Sequence, residues 1–295
     1  MEPSARTVAN VARALKKLRA GPLAWGPVTT SGHTPAERWV VTLDGGQTAF
    51  VKVATDEQTA SWLRDEHLVY AVLGGAPFLA GYLGWYDDGE LPVLALEDLS
   101  AATWPPPWSL EAIDAVRRTL DLVHATAPFE GLPRAGDDHL GLCEGWREIA
   151  TDPTGFLALG LCSPAWLERH LGVLDGAARS APLDGGALLH LDVRSDNVCL
   201  HDGRAVLVDW NWATVGNPDL DLFAWLPSLH AEGGPPPEEI ATGGEQLAAA
   251  LAGFLCAHAG RQPIPAAPRV RPDQVMQARI ALPWAARALG LPEPR

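Results

Sequence analysis

Lysine is scarce in this chain: of its 22 basic residues only Lys16, Lys17 and Lys52 are lysines, and the rest are arginines. Basic residues as a whole are outnumbered by 36 acids, leaving a net charge of −14. A phosphate backbone or an anionic membrane surface needs a basic face. The balance therefore argues against nucleic acid and membrane partners, though not against a nucleotide held with metal ions. Cysteine is also sparse. Cys143, Cys162, Cys199 and Cys256 stand far apart with no Cys-x-x-Cys pair, which removes the usual zinc and redox motifs and fits reduced, buried thiols in a cytoplasm. No run of roughly 18 apolar residues occurs, and "MEPSARTVANVARALKKLRAG" at the N-terminus has no continuous apolar segment, so neither export nor a membrane span is expected. G-x-x-x-x-G-K-[ST] is missing too, which excludes a P-loop kinase as far as a motif can.

What is present begins with an apolar content of 47% over 295 residues, enough for one large domain or two lobes with a full core. Val8, Val11, Leu15 and Leu18 recur at helical spacing until Gly21-Pro22, so residues 5–20 read as an amphipathic helix. "ERWVVTL" (37–43) and "TAFVKVA" (48–54) flank "DGGQ" as a β-hairpin, and Lys52 lies inside its second strand. A helix over 59–73 and two strands across Asp88-Gly89 follow. Three consecutive prolines at 105–107 can continue neither strand nor helix, so a lobe boundary is placed in 99–109. Beyond it come a helix over 109–127 with Ser109 as N-cap, a broken helical region at 140–180, and helices at 219–230, 238–259 and 272–289. The fold class is α+β: a small β-rich lobe (1–98), then a larger, mainly helical lobe (99–295).

The densest chemistry lies in "HLDVRSDNVCLHDGRAVLVDW", His190 to Trp210. "VCL" and "AVLVDW" flank "HDGR", and Asp-Gly between apolar runs is a strong hairpin signal. A two-residue turn at Asp202-Gly203 would set Asn197 opposite Val208, one position from Asp209; a three-residue loop would pair Asn197 with Asp209 directly. In either register the two side chains come within roughly 5–8 Å. An amide oxygen and a carboxylate at one end of a hairpin suit magnesium completed by water and phosphate oxygens. Asp192, five residues before Asn197, can accept a proton from a substrate hydroxyl, and Arg194 can neutralise a moving phosphoryl group or form a structural salt bridge. Base, metal ligands and cation are the parts of phosphoryl transfer.

With those residues in view, "HLDVRSDN" has the H-x-D-x-x-x-x-N form of the kinase catalytic loop. "VLVDWNWATVGNPDLDLFAW" resembles the metal-binding Asp segment and following helix of the aminoglycoside phosphotransferase and choline kinase-like small-molecule kinase family. "FVKVA" with Lys52 looks like that family's nucleotide-binding lysine strand, Glu66 in "LRDEHLVY" is similar to the helix glutamate that pairs with the lysine, and "LALEDLS" (94–100), with Glu97 and Leu99, resembles the hinge whose backbone receives adenine. The resemblance covers nearly the whole chain and implies a bilobal, protein-kinase-like small-molecule phosphotransferase that uses ATP or GTP, Mg2+ and a hydroxylated acceptor.

The resemblance implies that one of the acids Asp219 and Asp221 bonds back to the catalytic loop, Asp221 being the favoured one, and Trp210 reads as packing behind the metal Asp. One element departs from the pattern: "VTTSGHTPAERW" has a single glycine where protein kinases have a Gly-rich loop, and Ser31, Gly32 and Thr34 are the phosphate-covering candidates. Trp212 and the pair Trp146/Trp166 are open to two readings, core or pocket wall. The acidic chain fits a cationic acceptor such as an aminoglycoside, while choline, sugars and other antibiotics stay open. An alternative is a catalytically silent nucleotide-binding or scaffold protein of the same fold. A protein kinase is disfavoured, because the short stretch between Asp209 and Asp221 leaves little room for a peptide-docking segment.

Overall fold

The computed structural model describes residues 2–18, 21–28, 35–265 and 267–294. The first elements are α1 (Ala5–Ala14), β1 (Pro22–Pro27), β2 (Glu37–Leu43), β3 (Thr48–Val53), α2 (Glu57–Leu73), β4 (Tyr82–Tyr86) and β5 (Val93–Glu97). Next come α3 (Leu110–Ala125), α4 (Ala135–Asp138), α5 (Gly145–Thr151), α6 (Thr154–Leu157) and α7 (Pro164–Arg179). Four short strands follow, β6 (Ala187–Leu189), β7 (Val198–His201), β8 (Arg204–Leu207) and β9 (Thr214–Gly216), and then α8 (Asp219–Ala231), α9 (Pro237–Ile240), α10 (Glu245–Ala259) and α11 (Val270–Ala288). Backbone proximity groups Met1–Pro105 with Asp196–Ala213 as one unit, and Pro106–Ser195 with Thr214–Arg295 as another.

The first unit is built on a five-stranded antiparallel sheet in the order β1-β2-β3-β5-β4. Strand alternation sends Trp39, Val41 and Leu43 of β2, and Ala49, Val51 and Val53 of β3, to one apolar core with Val11, Ala14 and Leu15. The same period of two sets Lys52 out of phase with that core. The helix expected over 5–20 keeps its α form to Ala14 and tightens into a 3-10 turn at Leu15–Leu18. Gly84 of β4 lies so close beneath α1 that a Cβ there would collide with the Ala14 carbonyl oxygen.

Helix α2 starts with a capping box: Asp56 accepts from the Thr59 N–H at 2.8 Å and Thr59 Oγ1 accepts from the Asp56 N–H at 3.0 Å. Its buried stripe, Ala60, Leu63, Glu66, Val69 and Tyr70, follows helical spacing with one acid inside it. The β7–β8 hairpin joins this unit through backbone bonds from Thr103 N–H to Leu200 O (3.0 Å), from Leu200 N–H to Thr103 O (2.8 Å) and from Leu207 N–H to Phe78 O (2.9 Å).

The second unit is mainly helical. Helix α10 is apolar on nearly every side, with Leu247 through Ala252 all buried, as expected of a helix surrounded by others. It packs against α11, α7 and α5. The single helix expected over 238–259 is divided, because Gly243 and Gly244 take φ of +77° and +69°, which no helix interior accepts. Strands β6 and β9 pair antiparallel, Leu188 opposite Val215, and so place His190 just after one strand and α8 just after the other.

Candidate active site

The hairpin settles which register the 190–210 stretch adopts. Val198 pairs with Leu207, Cys199 with Val206, Leu200 with Ala205 and His201 with Arg204, so Asp202 and Gly203 form the whole turn. Both have positive φ, 50° and 76°, as the tight two-residue hairpin turn requires. The Val208 N–H donates to the Asn197 carbonyl at 2.9 Å and extends the ladder by one step. Asn197 is therefore opposite Val208, and Asp209 is one residue further. Asp209 itself is left-handed (φ 67°, ψ 56°), an uncommon conformation for a residue other than glycine. Behind it Trp210 is fully buried, donates its indole N–H to the Leu207 carbonyl at 3.0 Å, and meets Phe78 with ring centroids 5.5 Å apart.

Lys52 is held between two acids within this first unit. Its Nζ lies 2.8 Å from both Glu66 carboxylate oxygens and 2.8 Å from Asp209 Oδ1. All three sequence-assigned residues thus meet, and Lys52 with Asp209 is a direct ion pair across 157 positions. Burial opposes the Lys52 ammonium, but Asp209 and then Glu66 outweigh it and hold the group charged above the ordinary lysine range. Two carboxylates share one cation, and burial leaves Glu66 with a raised pKa despite Lys52.

The second unit carries the loop that follows β6. Asp221 is fully buried at the first turn of α8 and accepts from the His190 N–H at 3.0 Å and from the Leu191 N–H at 2.6 Å. Leu191 is left-handed (φ 60°), a costly conformation that these two bonds pin. His190 Nδ1 accepts from the Asp192 N–H at 3.2 Å, so this histidine supports the loop. Arg194 Nε lies 3.2 Å from Asp192 Oδ1, an ion pair between the two residues assigned as base and cation. His124, which the sequence offers only as a packed histidine on the long helix, places Nε2 2.9 Å from Asp221 Oδ2, a partner that sequence reading missed. Its signal was its place on α3, four residues after buried Leu120 and eight after buried Val116, at the edge of the helix's apolar stripe.

Among the other assigned residues, Ser31, Gly32 and Thr34 lie outside the described residues. Glu97 ends β5, where its carboxylate accepts from the Gly81 N–H at 2.9 Å. The Leu99 carbonyl accepts from Ala102 N–H and from Trp104 Nε1. Trp146 and Trp166 are core residues whose indoles donate to the Ala249 and Pro292 carbonyls, while Trp212 is 45% exposed. Asn197 and Asp209 contribute an amide oxygen and a carboxylate. This donor set is of hard oxygens only and fits magnesium, which takes few protein carboxylates and completes its shell with water and phosphate.

The profile of one protein family, described as "Phosphotransferase enzyme family", matches residues 28–263. The chain belongs to the phosphotransferase enzyme family. No curated protein sequence matches it. Among solved structures it is similar to a thermostable mutant of aminoglycoside phosphotransferase APH(4)-Ia in ternary complex with AMP-PNP and hygromycin B. That match has 15% identity and a TM-score of 0.61, and covers 97% of this chain and 99% of that one. A fructosamine-3-kinase candidate from Thermobifida fusca matches at 21% identity and a TM-score of 0.57, covering 95% and 99%. A macrolide 2'-phosphotransferase type I matches at 15% identity and 0.53, covering 98% and 94%. At these identities the likeness is one of fold, the protein-kinase-like α+β fold of the phosphotransferase enzyme family. Among the described residues no helix is long and apolar enough to cross a membrane.

Proposed function

We propose that this family member is a small-molecule kinase moving the γ-phosphoryl group of ATP or GTP to a substrate hydroxyl. The observation that carries the reading is the buried Lys52 ammonium, held charged between Glu66 and Asp209 at 2.8 Å from each. A buried cation needs a reason. Two carboxylates that fix its position leave it aimed and charged for nucleotide phosphates, and a compact ammonium fits a narrow site where a guanidinium does not.

In this reading residues 1–98 bind nucleotide, with the segment around Glu97 and Leu99 receiving the base and Ser31, Gly32 and Thr34 covering phosphate. The Leu99 N–H, which donates to no group among the described residues, is the hinge donor. Residues 99–295 supply catalysis and the acceptor site. Asn197 and Asp209 would hold Mg2+, which when bound neutralises charge on the transferring phosphate. Asp192 orients the acceptor hydroxyl and takes its proton, and Arg194, now paired with Asp192, turns toward the developing charge. The pinned backbone at His190 and Leu191 supports that assignment, since a base works only where its placement is fixed. Relatives of this fold carry hygromycin B, or are described as acting on macrolides or fructosamine. The acceptor class here is accordingly a hydroxylated small molecule, and the acidic chain suits a cationic one.

The test is a screen of hydroxylated metabolites and antibiotics for acceptor-dependent ADP or GDP release, with mass detection of the phosphorylated product. Asp192→Ala is expected to lower turnover by about a thousandfold or more while nucleotide binding persists. Wild-type turnover in that variant, or nucleotide binding with no transfer across the screen, would overturn the reading, the latter in favour of a silent nucleotide-binding protein.

A further inference from the structure

We propose that Glu232 is a positioning residue for the Asp192 loop, acting through the hydroxyl of Ser195. The inference rests on the phosphotransfer reading above and adds a second anchor to the loop.

Ser195 Oγ donates to Glu232 Oε1 at 2.7 Å, and the Trp108 indole N–H donates to Oε2 at 2.8 Å. Each carboxylate oxygen is thus bound by a neutral donor. Trp108 in turn meets the fully buried Trp225 edge to face, centroids 5.4 Å apart, so the carboxylate is braced from behind by a packed indole pair. Glu232 is also the C-cap of α8, its own N–H turned back to the Ser228 and His230 carbonyls. A carboxylate there faces the negative end of the helix, the wrong sign for that position. Where a residue violates a local rule yet is held by two specific partners, a functional constraint is the physical explanation to test first.

The partner it holds is informative. Ser195 is three residues past Asp192 and is the last residue before the chain passes from one compact unit to the other. The loop's other end is held by Asp221, which binds the His190 and Leu191 N–H groups from the first turn of the same helix. One helix therefore holds the loop at both ends, with Asp192 between. Releasing Ser195 frees the segment after Asp192 and leaves the Lys52 cluster untouched. The expected cost is in the rate of transfer, not in ground-state binding.

The experiment compares Ser195→Ala, Glu232→Ala, the double variant and Glu232→Gln with wild type. Acceptor-dependent turnover is measured together with amide hydrogen exchange of residues 190–195. Expected are a kcat lowered about tenfold or more in either Ala variant, nucleotide and acceptor KM values within about twofold, and faster exchange across 190–195. The double variant should be no worse than the singles, since both remove one link. Glu232→Gln, which keeps length and an accepting oxygen, should recover most of the rate. An acceptor KM that rises while kcat is unchanged would make Glu232 a substrate-binding residue and overturn the proposal, as would additive losses or unchanged exchange. Should Glu232→Ala fail to fold, Ser195→Ala decides alone, because it removes one hydroxyl. Were the wild type to transfer nothing, unchanged exchange would still overturn the anchor, whereas faster exchange would keep it and sink only the phosphotransfer reading.

Discussion

Lys52 Nζ lies 2.8 Å from both carboxylate oxygens of Glu66, and the two side chains are 8% and 2% exposed. The contact follows from two periodicities. Residues 49, 51 and 53 of β3 belong to the core shared with α1, so Lys52 is out of phase with them, and Glu66 sits in the inward stripe of α2. Neither charge could be buried there alone.

Removing the cation is therefore expected to cost more than removing a surface ion pair. Lys52→Met leaves two acids near one another with no countercharge, a loss of about 3 kcal/mol or more at neutral pH. Burial already raises the pKa of Glu66, and without Lys52 it rises further. The unfolded chain then ionises Glu66 above its ordinary pKa while the folded chain keeps the proton, so stability of the variant falls as pH rises through that range. Urea titrations at pH 5 and pH 8 should show a larger drop for Lys52→Met than for wild type, and Lys52→Met/Glu66→Gln should recover part of it. An equal drop in both proteins would remove the electrostatic account.

Tyr70, one turn beyond Glu66, is fully buried, and its hydroxyl has no hydrogen-bond partner among the described residues. Burial pushes its pKa well above the ordinary phenol range, with Glu66 and Asp209 adding to it. A buried hydroxyl that gives up water without a new partner is a net cost, so Tyr70→Phe should raise stability by about 1 kcal/mol. Thermal and urea unfolding measure it directly. A loss of that size instead would mean that the hydroxyl has a bonded partner.

How much of this was legible beforehand differs by element. The β2–β3 hairpin, α2, and α3 with its Ser109 cap have the period and turn chemistry that a chain of this kind declares locally. The turn at Asp202-Gly203 limited the partners of Asp209 to two registers, and backbone geometry chose one. β1 was not legible: a six-residue strand that begins and ends in proline reads as a loop, and only pairing with β2 makes it a strand. β6 and β9, three residues each, are too short to display a period. Site residues showed the same division. Lys52, Asp192, Asn197 and Asp209 stood out by type and spacing, and Glu66 only through the family resemblance, since Asp65 and Glu57 are acids of the same helix. The bonds of His124 to Asp221 and of Glu232 to Ser195, by contrast, join segments far apart in the chain. No local pattern encodes such a contact, because it exists only once helices have packed.

The four cysteines offer a test that separates packing from chemistry. All are buried free thiols; burial raises Cys162 to about 11 and Cys199 to about 12, and shifts Cys256 further in the same direction. The folded chain keeps these protons at pH 8, and an alkylating reagent needs the thiolate, so labelling should be slow until urea unfolds the protein. The sign for stability follows. Unfolded thiols ionise near pH 8.5–9 while folded ones do not, so the unfolded state binds fewer protons above that pH and stability falls as pH rises. Each such thiol steepens the fall by at most about 1.4 kcal/mol per pH unit between its unfolded and folded values. Cys199→Ala, compared with wild type at pH 8 and pH 10, should therefore lose less stability over that interval. Equal slopes, or rapid labelling of Cys199 in the folded protein, would show that the β7 thiol is open to solvent.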